Sequence, residues 1–267
     1  MKDNNLLVKQ SHLLNNASYK LSSLSMDLIF VMISELKKED KEFNVFKLSI
    51  RDIEKKLNKR INIKSIPEAI SDVYKNPFTL HSKDGASFIM VSWVSMFAYD
   101  NKNKVITFKF DQQMKEFLLE LSDRFVLSHI REVSSLNSEY SKRIFNMIKQ
   151  WEKVGKFSIN LNKLKSVLMV PDSMNIYSNF KQKVLIKSCN QINESTNINV
   201  SFEEVKNGRR VVDILFKISK KRKDDVNFKP ENDIIINKNK SKISSSGVEV
   251  KEKSLNFINN WIKEENK

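Results

Sequence analysis

The chain has 267 residues, 40% of them hydrophobic, and carries 47 Lys/Arg against 32 Asp/Glu for a net charge of +15. That length accommodates two ordinary domains and an appendage, and the basic balance favours an acidic polymer as partner. A single cysteine, Cys189, excludes an internal disulfide framework, the longest apolar run (Leu28 to Ile33) is far short of a bilayer span, and the short polar opening Met1 to Ser11 is no signal peptide, so the expected protein is cytoplasmic with no membrane partner.

The charge is uneven. Residues 1–130 hold 20 Lys/Arg and 16 Asp/Glu (+4), residues 131–220 hold 16 and 8 (+8), and residues 221–267 hold 11 and 8 (+3). In chain order, Leu24, Leu28, Val31, Met32 and Leu36 recur at helical spacing, predicting a helix over 21–37 with Ser25 as its cap. Phe46-Lys-Leu-Ser-Ile50 leads into a short charged helix that Ser49 can cap, with Ile50, Ile53 and Leu57 on one face. A further helix runs from Asn62 to Lys75, with Pro67 early, where a missing N–H is tolerated, and Asn76-Pro77 at its end. Phe78 to Leu80, Ser87 to Tyr99 and Lys104 to Phe110 read as β-runs, turning at Lys83-Asp84-Gly85 and Asp100 to Asn103. Asp111 is expected to cap a closing helix through Leu121.

The second half repeats this order. Tyr140, Ile144, Ile148 and Trp151 form one apolar stripe of a helix over Glu139 to Glu152, with Gly155 as its C-terminal stop. Phe157-Ser-Ile-Asn-Leu161 and a brief helix over Asn162 to Val167 follow, then a helix from Ile176 to Glu194. That helix puts Phe180, Val184, Leu185, Ser188, Cys189 and Ile192 inward and Asn179, Gln182, Lys183, Ile186, Lys187 and Asn190 outward. The outward arc has donors for base edges and phosphates and no acid before Glu194. Asn199 to Glu204 and Arg210 to Ile218 alternate around Asn207-Gly208, a strong hairpin signal, so that Lys206, Arg209 and Arg210 crowd the tip. Such a tip suits a sugar-phosphate backbone. Residues 221–245 read as a polar linker, and Leu255, Ile258, Trp261 and Ile262 as a small amphipathic helix.

Phe157 follows Phe46 by 111 residues, and the elements around each match. Helix, helix–turn–helix, β-hairpin is the winged-helix order. The fold class expected is therefore α+β: two tandem winged-helix domains related by an internal pseudo-repeat, at 1–130 and 131–220, with a flexible C-terminal tail over 221–267. The second domain is the stronger candidate for double-stranded DNA. The first offers Asn62, Lys64 and Ser65, offset by Glu68 and Asp72. None of the four glycines lies in a phosphate-binding fingerprint, and His12, His81 and His129 are far apart, so no catalytic residue, metal site or cofactor is expected.

A resemblance joins these readings. Val8-Lys-Gln-Ser-His-Leu-Leu-Asn-Asn-Ala-Ser-Tyr-Lys-Leu-Ser22 resembles the opening of the Rep-type plasmid replication initiators, the tandem winged-helix proteins of iteron plasmids. Ser141-Lys-Arg-Ile-Phe-Asn-Met-Ile-Lys-Gln-Trp151 is similar to their central helix. Phe180-Lys-Gln-Lys-Val-Leu185, with Gln191-Ile-Asn-Glu-Ser-Thr196, is similar to their second recognition helix, and Lys206-Asn-Gly-Arg-Arg210 to their second wing. The resemblance implies sequence-specific binding to direct repeats at a plasmid origin, initiation of replication with host replication proteins, a homodimer formed through the first winged helix, and repression of the protein's own gene. It adds Lys181 to the expected DNA contacts. As lysine it is a point charge and lacks the arginine fork. The alternative is a winged-helix transcription repressor with no replication role.

Overall fold

The computed structural model describes residues 7–37, 39–82, 85–119 and 125–221. The 221–245 linker past Lys221, the helix around Trp261, the Lys83-Asp84 turn and the end of the helix expected through Leu121 lie outside the described residues.

The first half opens with β1 (Leu7–Ser11) and α1 (His12–Asn16), followed by α2 (Ser23–Ser34). β2 (Phe46–Ser49) leads into α3 (Ile50–Leu57), then α4 (Ile66–Lys75). Next come β3 (Phe78–His81), β4 (Phe88–Val91), β5 (Val94–Asp100) and β6 (Val105–Phe110). α5 (Lys115–Leu118) and β7 (Phe125–His129) complete it, and α6 (Ile130–Ser134) leads across. The second half comprises α7 (Glu139–Lys149), β8 (Lys156–Asn160), α8 (Leu161–Val167), a long helix α9 over 177–195, β9 (Ile198–Asn207) and β10 (Arg210–Lys220).

Two antiparallel sheets have the same strand order, β2-β6-β5 and β8-β10-β9. In each, the short strand before the helix–turn–helix pairs with the last strand of the hairpin. Phe46 lies opposite Phe108 in the first sheet, and Phe157 opposite Phe216 in the second. The pseudo-repeat read from the two phenylalanines is thus a repeat of topology. Both halves share one contiguous apolar core.

Local chemistry fixes the element ends. Ser22, not Ser25, caps α2 by accepting the Ser25 N–H. Ser25 is buried one turn inside, where its hydroxyl donates to Asp72 at 2.6 Å. Ser49 caps α3 by accepting from Asp52 N–H, and Asn58 ends it in the left-handed region. α7 stops at Lys149, before the expected Glu152. Three-residue turn bonds (Trp151 N–H to Ile148 O, Glu152 N–H to Lys149 O) replace its last helical bonds, and Gly155, at φ 79°, closes that turn rather than the helix itself.

The β-run expected over Ser87 to Tyr99 divides into β4 and β5. β4 pairs with β3 in a separate two-stranded sheet, which leaves β5–β6 as the first wing. β1 and β7 form a further antiparallel ribbon. Helices α2 and α7 hold equivalent places in the two halves and meet at the seam between them. There Asp27, 1% exposed, takes Lys59 at 2.5 Å and also the fully buried Lys142. Lys142 donates in addition to the Ser23 carbonyl at 2.9 Å. Arg143, also buried, lies 3.5 Å from the centre of the Tyr19 ring and donates to the carbonyls of Ala17 and Val167. A buried charge without such partners would cost several kcal/mol.

Candidate nucleic-acid interface

The long helix α9 is less regular than its sequence predicts. Tyr177–Phe180 and Lys187–Ser195 are α-helical, and Lys181–Ile186 between them is a π-helix. Such wide turns are rare and collect at functional sites. The extra residue per turn fits the buried set. Val184 and Leu185 follow Phe180 by four and five residues, and both are fully buried; Ser188, Cys189 and Ile192 further on are buried too. Burial pushes the Cys189 thiol up to about 12, so it is an unreactive core side chain at neutral pH. The C-terminal end of α9 is fastened to β9 by Asn193, whose carboxamide donates to Val200 O (2.9 Å) and accepts from Val200 N–H (2.6 Å).

The outward arc divides into two groups. Gln182, Lys183, Lys187 and Asn190 are exposed and have no hydrogen-bond or ion-pair partner among the described residues. Asn179 is half-buried and donates to Ser173 O at 3.1 Å, which fixes the turn before the helix. Lys181 pairs with Glu204 of the wing strand at 2.8 Å. Two of the expected contacts are therefore engaged internally, and four are free.

The wing is the hairpin β9–β10. Its tip differs by one residue from the expected turn. Asn207 pairs with Arg210, so the central pair is Gly208-Arg209 rather than Asn207-Gly208. Only Gly208 has positive φ (60°), which matches a type II′ turn, with glycine first. Arg209 and Arg210 are exposed and unpartnered among the described residues, whereas Lys206 approaches Glu204 at 3.4 Å.

Glu204 is the residue of this surface that the sequence alone did not single out. Strand alternation carries the signal: Ile198, Val200, Phe202 and Glu204 share the face of β9 that meets the helix. Its carboxylate accepts from the Tyr177 hydroxyl at 2.9 Å as well as from Lys181. The lysine and tyrosine donors keep Glu204 below its usual range, with Lys181 the main cause. Burial, and then Glu204 itself, push the Tyr177 hydroxyl up.

In the first half the corresponding residues are less available. Asn62 is exposed, but its side chain accepts from Lys64 N–H and so caps the turn Ile63–Ser65. Lys64 is exposed and Ser65 half-buried. Asp72, read as an acid opposing DNA, instead faces α2, accepting from Ser22 N–H (2.8 Å) and Asn76 Nδ2 (2.8 Å). Glu68 alone remains as an exposed acid of that pair. At the first wing tip Asp100 accepts from the backbone N–H and the side-chain amide of Asn103, which mainly hold it below its usual range, and from the Lys102 N–H. Lys104 donates to Asn101 at 2.7 Å. Among the described residues no group of three or more His, Cys, Asp or Glu could hold a metal ion, and no helix is long and apolar enough to cross a membrane.

Comparison with known proteins assigns the two halves. Residues 7–149 match the family described as initiator replication protein, WH1, and residues 160–218 match initiator Rep protein, WH2. An uncharacterised 27.6 kDa protein of Escherichia coli is 20% identical over 226 residues, covering 79% of this chain and 94% of that protein. The crystal structure of Pi initiator protein in complex with iteron DNA superposes with a TM-score of 0.67 at 16% identity, covering 81% of this chain and 98% of the other. The chain belongs to the initiator replication protein family and carries its two winged-helix domains, WH1 and WH2.

Proposed function

We propose that this protein starts plasmid replication by binding double-stranded direct repeats (iterons) at the origin, with 131–220 as the main DNA-reading domain. The observation that carries this reading is the free set Gln182, Lys183, Lys187 and Asn190, on a helix fastened beside a wing that ends in Arg209 and Arg210. The free amides and cations on the helix suit base edges and phosphates in a major groove, and the wing cations suit the adjacent backbone. The Pi initiator, of the same fold, was crystallised with iteron DNA, which supports the target class. Residues 1–130 contribute a secondary contact through Asn62, Lys64 and Ser65, and the division at 130 follows β7, which pairs back to β1. We assign no catalytic or cofactor site. Host replication proteins are the further partners this role requires.

The first domain also supports a homodimer. The outer strand β4 exposes Phe88 (63%) and Met90 (58%), and its second edge has no strand partner among the described residues. Antiparallel pairing of β4 with its two-fold mate would bring the Phe88 and Met90 of both copies together on one face of a four-stranded sheet. A two-fold dimer matches an inverted repeat, whereas a monomer matches each direct repeat singly. That symmetry separates repression of the protein's own gene from binding at the origin.

Footprinting on the DNA flanking the protein's own gene tests the reading. Direct repeats protected at intervals of about one or more helical turns of ~10.5 bp are expected. The double substitution Lys183→Ala/Lys187→Ala should weaken binding to those repeats and flatten the dependence of log K on log[salt] by about 2. An unaltered affinity and slope would remove α9 from the interface.

A further inference from the structure

Glu204 is an acid at a surface otherwise arranged for an anion. Its side chain is 18% exposed, against 38% for Lys181 and 54% for Lys206, so the carboxylate lies beneath the two ammonium groups that it holds. Oε1 receives the Tyr177 hydroxyl and Lys181, and Oε2 faces Lys206. One side chain thereby links the first turns of α9 to the wing strand and offsets part of the charge of two cations. Lys183, Lys187, Arg209 and Arg210, nearby in sequence, have no such counter-charge among the described residues.

We propose that Glu204 is a positioning residue that sets DNA specificity, holding Lys181 and Lys206 away from the backbone of duplexes that do not fit α9. The inference rests on the DNA-binding reading above. Non-specific affinity comes from phosphates displacing counterions around free cations. A lysine already paired to a fixed carboxylate must give up that partner to join in, and any phosphate near it meets the negative charge of Glu204. A duplex whose base edges match the free arc of α9 offsets this cost with contacts that random sequence does not make. Repulsion that falls harder on wrong partners than on the right one is how specificity is gained at some expense of affinity. Tyr177 serves the same arrangement from the side, orienting the carboxylate through a charge-assisted hydrogen bond from its hydroxyl.

The test uses the full chain, a duplex carrying the repeat footprinted beside its own gene, and a scrambled duplex of equal length, titrated across a KCl series. Glu204→Gln keeps the size and an acceptor oxygen but removes the charge. It should bind the scrambled duplex about tenfold more tightly, with a slope of log K against log[KCl] steeper by about 1 to 2 as the freed lysines reach phosphates. Affinity for the repeat should change less, so that the ratio of the two falls. Glu204→Asp, which retains the charge, should keep scrambled-duplex binding close to the parent value. An unchanged slope and ratio in Glu204→Gln overturns the proposal. Equal weakening on both duplexes overturns it too, because the residue would then be a plain strut. If the parent protein itself binds neither duplex in a salt-dependent way, the DNA-binding reading fails and takes this inference with it.

Discussion

Asp27 carries more of the seam between the two winged helices than its single charge implies. It faces Lys59, which is one-third exposed, and Lys142, which is fully buried. The two lysines are therefore not equivalent. Lys142→Met removes a buried cation and leaves Asp27 paired with Lys59. Asp27→Asn leaves Lys142 buried with no counter-charge, a loss of about 3–5 kcal/mol by analogy with other buried pairs broken on one side. Urea unfolding at neutral pH should rank Asp27→Asn well below Lys142→Met, and the reverse order would show that Lys59 alone does not satisfy the buried Asp27. The pH dependence separates the two further. Burial pulls Lys142 down from 10.5 to about 8 against the attraction of Asp27, with Lys59 beside the same carboxylate adding to the drop. Between pH 8 and 10.5 the unfolded chain retains a proton that the native state has released. The contribution of this group to stability thus rises with pH across that window and is lowest below it. Subtracting the stability profile of Lys142→Met from that of the parent should reveal this rise, and parallel profiles would mean that the lysine titrates normally.

At the level of elements, the wing turn makes a separable prediction. A Cβ on Gly208 would meet nothing within 4 Å, so any cost of substitution is purely one of backbone conformation. Gly208→Ala should lower stability by about 1 kcal/mol, and Gly208→Asn by less, since asparagine tolerates positive φ. Equal melting temperatures for all three would show that the turn relaxes to another type. The position of this turn also marks how far the sequence could be read. Alternation of apolar residues located β9 and β10, and Asn-Gly located the turn to within one residue, but local propensity does not choose between neighbouring registers. The inward face of α9 was legible throughout, because periodicity reports burial. Its π turn was not, since Lys181 to Ile186 contains no glycine or proline to mark it. Nor was β1–β7, where two five-residue strands pair across more than a hundred residues of chain. On the candidate interface, Gln182, Lys183, Lys187 and Asn190 were readable as an outward arc. The engagement of Lys181 was hidden because its acid lies on another element, beyond any helix-spacing argument.

Over the whole molecule, one topology is used twice with different surface chemistry. Both halves have the same three-stranded sheet and the same helix order, but the acids of the first are largely spent on its own turns and caps, as Asp72 and Asp100 are. What the first half has in addition is the β3–β4 hairpin, with Phe88 beside His81 at a ring separation of 6.2 Å and still 63% exposed. An exposed apolar strand edge is a pairing template, and proteins that do not pair there usually place charge on it. Phe88→Lys with Met90→Lys installs that charge on the outer face of β4 and leaves the inward Ile89 and Val91 in the core. Like charges brought together across the two-fold should then oppose pairing. Sedimentation over a range of concentrations should find the parent in a monomer–dimer equilibrium and the double variant monomeric. The variant should keep its footprint on direct repeats and lose cooperative binding to an inverted repeat, because only the latter needs two copies held face to face. If the variant sediments as the parent does at every concentration, the β4 edge is not the contact, and the two-fold must lie elsewhere.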